Sequence, residues 1–145
     1  MPEQYQIAAY RHFETAELLA ANGMRDDAAY HLGVSGENAI KYAMQEAGLE
    51  AFWDRCGIKK NNQPMRGHWG HLQAKVQQEL GNINLFATGR RSVPLQNLVN
   101  SGPVQQFSGW GIDIRYADSG LVPISAMDHA RWHSDAQEFL INFVL

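Results

Sequence analysis

The sequence predicts an all-α protein, an antiparallel bundle of four to five helices. Three observations carry that expectation. Apolar residues recur at helical spacing in the N-terminal part of the chain and again at its C-terminal end. Turn residues stand where those stripes stop, at Asn22-Gly23, Gly48 and Gly81. No run alternates with period 2 for long enough to make a strand. A chain of 145 residues fits one domain with a single core. No internal repeat, low-complexity tract or linker divides residues 1–145.

The first helix is expected over Glu3–Ala21, where Ala9, Phe13, Ala16 and Ala20 share one face. Asn22-Gly23 is a natural C-terminal stop. A second helix starts near Met24, with Asp26 and Asp27 opposing the positive helix end. Its stripe is Ala28, Leu32, Ala39 and Ala43, and it stops at Gly48. The short connection makes the two an antiparallel hairpin. Leu49 to Cys56 reads as a helical turn, followed by the polar loop "GIKKNNQPMRG". A third helix is expected from Trp69 to Leu80. "SVPLQNLVNSG" reads as a short fourth, with Ser92 as cap and Pro94 in the first turn. "FSGWGIDIRYADSG" reads as irregular. Ser125 and Asp128 open the last helix with a capping-box-like start. His129, Trp132, Ala136, Phe139 and Phe143 line one of its faces.

Composition narrows the function classes. The chain is 45% hydrophobic and 19% charged, as a soluble globular protein is. A formal charge of −3 argues against a broad basic surface for non-specific nucleic-acid binding. The single cysteine, Cys56, excludes an intrachain disulfide and a cysteine-based zinc site, and suits a reducing compartment. The N-terminus lacks the basic start and apolar run of a secretory signal. No stretch approaches the length of a membrane span. The expectation is a cytoplasmic protein without a membrane partner.

The segment "YHLGVSGENAIKYAM" asks what lies against it. Glycine inside a helix costs about 1 kcal/mol relative to alanine, so Gly33 and Gly36 imply a close approach by another helix. Glu37 and Lys41 have the favourable i, i+4 order of an exposed pair. The alternative places them at the edge of a helix or subunit seam, where they join the candidate binding residues.

The stretch "AAYRHFETAELLAANGMRDDAAYHLGVSGENAIKYAM" resembles the first two helices of HEPN-domain proteins. The matching positions are Leu18, Leu19, Gly23, Glu37 and Lys41. "GHLQAKV" is similar to the Gly-His stretch opening that family's third helix. "IDIRYADSG" is similar to its Asp-x-Arg-Tyr segment, at Asp113, Arg115 and Tyr116. The resemblance implies a helical bundle that commonly dimerises, in a toxin–antitoxin, defence or stress system. It implies a homodimer, with RNA or a cognate antitoxin or other partner protein as ligand, and structural roles for Glu37 and Lys41. Many such proteins are metal-independent ribonucleases carrying Arg, four to six residues, then His. Others only bind a partner protein, nucleotide or RNA.

The chemistry explains the Arg–His pair. A histidine moves the proton of the attacking 2′-OH, and an arginine stabilises charge building on the phosphate. Two pairs have that spacing. Arg66 and His71 are joined by His68, a second imidazole, and by Trp69, a surface on which a base can stack. The alternative pair is Arg25 and His31. Chance alone predicts about one such match, so the spacing leaves open whether either pair is catalytic. No cofactor and no metal are expected. The alternative for a metal is the i, i+4 pair His129 and His133, with a third ligand from His68 or His71. Trp110 and Trp132 read as core anchors.

Overall fold

The computed structural model describes residues 4–47, 92–100, 106–110 and 124–145. The expected third helix at Trp69–Leu80 lies outside the described residues, as do Arg66, His68, Trp69 and His71. Among the described residues every regular element is helical and there is no strand, so the protein is all-α. The elements are α1 (Tyr5–Ala21), α2 (Arg25–Glu46), α3 (Ser92–Asn100) and α4 (Ala126–Phe139), which runs on into a π-helix over Leu140–Val144. No helix among them is long and apolar enough to cross a membrane.

The turn between α1 and α2 forms because Gly23 can take φ +77°, a left-handed backbone that glycine enters without steric cost. The Gly23 N–H then donates to Ala20 O and the Met24 N–H to Leu19 O. These are the two bonds of a Schellman cap. The Asn22 side chain adds a third, donating to Leu18 O at 2.8 Å. The helices return antiparallel, with Ser35 meeting Ala9 and His31 meeting His12. Small residues let them approach: Ala9 and Ala16 on α1 and Ala28 and Ser35 on α2 are all buried. The Ser35 hydroxyl donates to Ala9 O at 2.7 Å, which satisfies it inside the seam.

α2 is the central helix. It buries Leu32, Gly33, Gly36, Ala39, Ile40, Ala43 and Met44 besides its α1-facing residues. α4 packs against it with both N-termini at one end. There Asp26 accepts from Ile124 N at 2.9 Å, and Arg25 donates to Ile124 O at 3.2 Å. Two consecutive α2 side chains thus hold both backbone groups of one residue. Ser125 caps α4 as its sequence predicts, its hydroxyl accepting from Asp128 N at 3.0 Å. The Asp128 carboxylate instead takes Arg131, at 2.9 Å. Trp132, Ala136, Phe139 and Phe143 are buried while His129 is only partly so.

The element that occupies the glycine notch is not a helix. It is the turn at residues 106–110. A Cβ on Gly33 would fall 1.8 Å from Trp110 Cε2, and one on Gly36 would fall 2.4 Å from Phe107 Cε2. The two rings fill the space where side chains would stand. The Trp110 indole N–H donates to Ala29 O at 2.8 Å, and the Trp132 indole N–H donates to Ser108 O at 3.1 Å. Phe107 sits at φ 61°, where a bulky residue is strained. Asp135 holds it there by accepting its N–H at 2.9 Å. Burial raises the Asp135 carboxyl above its usual range, opposed by the Phe107 N–H and by Arg131. Phe107 meets Phe139 edge-on, and Phe139 meets Phe143 in the same way. Trp110 and Trp132 are therefore core anchors.

Candidate histidine site on α1, α2 and α4

Four histidines fall on the described helices, in two pairs. His12 of α1 and His31 of α2 meet across the hairpin seam. Their Nδ1 atoms are 2.9 Å apart, and their rings stack with centroids at 5.1 Å and planes at 25°. Tyr30 closes on the edge of His31. The second pair, His129 and His133, lies along α4 with centroids 6.4 Å apart. His133 is engaged by α1. Its Nε2 lies 3.1 Å from Glu17 Oε1, and its ring meets Phe13 at 5.1 Å.

Burial sets the protonation of these groups. It lowers His12 below the usual imidazole range, and the proximity of His31 lowers it further. It lowers His31 as well, against the upward pull of Asp27. His129 is lowered by burial first, then by His133 and Arg25. All three are neutral near pH 7, the form that accepts a proton or ligates a metal.

The N-terminal end of α2 opens on a cleft of about 610 Å³, lined by Met24, Arg25, Asp26, Asp27, Ile124 and His129 among others. Its rim brings two carboxylates against one guanidinium. That balance is unfavourable for a phosphodiester, which needs cationic donors.

The pair Arg25 and His31 is not brought together. Arg25 turns to Ile124 and acts on His129, whereas His31 turns to His12. Glu37 and Lys41 are 3% and 7% exposed, so they do not form an exposed surface pair. For the alternative metal pair, His129 and His133, the third ligand expected from His68 or His71 lies outside the described residues; among the described residues no group of three His, Cys, Asp or Glu could hold a metal. Sequence reasoning missed His12 altogether. The signal was its position, since His12 and His31 stand nearly symmetrically about the Asn22-Gly23 turn. No family model, curated protein or solved structure matches this chain.

Proposed function

We propose that the protein is a HEPN-like bundle of four to five helices, homodimeric, that serves a toxin–antitoxin, defence or stress system by binding a partner protein. The observation that carries this reading is the separation of Arg25 from His31. Each is committed to a different structural neighbour, and the cleft beside Arg25 is acid-rich. A phosphate-cleaving centre needs both groups at one phosphodiester, the histidine at the attacking 2′-OH and the arginine at the phosphate oxygens. The acidic rim instead suits a basic protein surface.

A second reading keeps the metal-independent ribonuclease, at Arg66 and His71. The adjacent His68 and Trp69 favour it, since they would supply a second imidazole and a stacking surface. One experiment separates the two. Purified protein is incubated with RNA in EDTA beside His71→Ala and His31→Ala, and the product ends are analysed. The binding reading expects no cleavage by any of the three. Cleavage that leaves 2′,3′-cyclic phosphate and disappears only in His71→Ala would replace it with the nuclease.

A further inference from the structure

We propose that Asn22 is a site of spontaneous deamidation gated by the hairpin turn: the cap at the end of α1 keeps its amide inert, and each opening of that cap exposes it to Gly23. The sequence supplies the chemistry. Asn22-Gly23 is the one asparagine–glycine pair in the chain. Glycine carries no Cβ to obstruct ring closure at its nitrogen. Both residues are exposed, so water and hydroxide reach them. The Gly23 nitrogen gives its proton to hydroxide and attacks Asn22 Cγ. The N–Cγ bond forms, the Cγ–Nδ2 bond breaks, and the side-chain nitrogen takes a proton from water and leaves as ammonia. The resulting five-membered imide adds one water at either carbonyl. Opening at Cγ leaves an aspartate in place of Asn22. Opening at the main-chain carbonyl leaves an isoaspartyl link.

The folded turn withholds each reactant. The Asn22 amide is held by Leu18 O at 2.8 Å. The Gly23 N–H, whose proton must leave, is held by Ala20 O at 3.1 Å. Asn22 has ψ 14°, which sets the Gly23 nitrogen nearly in eclipse with the nitrogen of Asn22 itself and turned from the side-chain branch it must reach. All three yield only when the cap opens, a local event that needs no global unfolding. The product does not restore the cap. A carboxylate oxygen would stand where Nδ2 donates, acceptor against acceptor at Leu18 O. It would also place negative charge at the negative end of the helix dipole, and α1 has no basic residue in its last turn to offset it. The isoaspartyl link adds a carbon to the main chain, which draws the Gly23 and Met24 N–H groups out of register with Ala20 O and Leu19 O. An opening that proceeds to reaction is thus recorded permanently at the turn that joins α1 to α2.

This inference is independent of the function proposed above. The full chain is incubated at pH 8 and 37 °C in buffer and, in parallel, in guanidinium chloride. Peptide mapping by mass spectrometry follows the amide-to-acid change at Asn22. Asn22 should deamidate in denaturant, and about tenfold or more slowly in the folded chain, because two hydrogen bonds must open first. Ser35→Ala, which loosens the hairpin by removing the bond to Ala9, should speed the reaction in buffer and leave it unchanged in denaturant; circular dichroism checks that it is folded. Asn22→Asp should lower the thermal midpoint more than Asn22→Ala, which loses the same bond without adding charge. Equal rates in buffer and denaturant would overturn the gating, and an intact Asn22 amide in denaturant would overturn the site. Asn22→Asp as stable as Asn22→Ala would overturn the product's effect on the cap.

Discussion

α2 has two seams of opposite character. Toward the turn at 106–110 it offers bare backbone at Gly33 and Gly36, and two aromatic rings fill the notch. Toward α1 it offers a hydroxyl and an imidazole, which meet a carbonyl and a second imidazole. The first seam is governed by shape and does not respond to pH at α2. The second depends on where protons sit. One helix can therefore hold a rigid contact and a titratable one on different faces. The small residues serve both, admitting rings on one side and a helix on the other.

The largest effect should come from emptying the notch. Trp110→Ala removes a buried ring and its bond to Ala29, and should cost about 3–5 kcal/mol by urea denaturation. Gly33→Ala alone should cost about 1–3 kcal/mol through overpacking, despite alanine's better helix propensity. In the Trp110→Ala background the same methyl should become neutral or stabilising, because its obstacle is gone. Simple additivity of the two changes would break the shape account.

The proton-dependent seam should produce a smaller, graded effect. His12, His31 and His129 are all held below their unfolded value of about 6.5, so the unfolded chain binds more protons than the folded one just below that pH. Stability should be complete above about pH 7 and fall as the pH drops through about 6.5, levelling off below the folded-state values. Asp135 works oppositely and at lower pH. Its raised carboxyl makes the folded state the better proton binder there, so its own contribution improves on acidification. Urea midpoints between pH 7.5 and 5 would check the first trend, and His12→Gln should reduce it without abolishing it, since His31 and His129 remain lowered by burial. The smallest change belongs to neither seam. Ser125→Ala should cost about 1 kcal/mol by loss of the cap on Asp128 N, read as a modest drop in thermal midpoint with an unchanged pH profile.

The sequence made the local features legible. The Asn22-Gly23 stop, the α2 stripe of Ala28, Leu32, Ala39 and Ala43, the helix at Ser92–Asn100 and the Ser125 cap each depend on neighbours a few residues away. Those forces act within a turn or two of chain, so they are written there. The occupant of the glycine notch was not legible. Gly33 and Gly36 announce a close approach, but nothing nearby says whether a helix or a turn makes it. Glu37 and Lys41 failed for a related reason, since i, i+4 spacing describes a helix face and not what covers it. His12 became significant only once the hairpin register was known. Arg66 and His71 lie outside the described residues.

The bond from the Trp110 indole to Ala29 joins positions 81 apart in the chain. The α1–α2 hairpin closes over a turn of a few residues, so its loop entropy is small. Docking of the aromatic turn must first gather the long stretch between them, and contacts of that reach form slowly. The consequence is kinetic. The hairpin is expected to close first and the Phe107–Trp110 turn to dock last, so that slow docking sets how fast the folded molecule is reached.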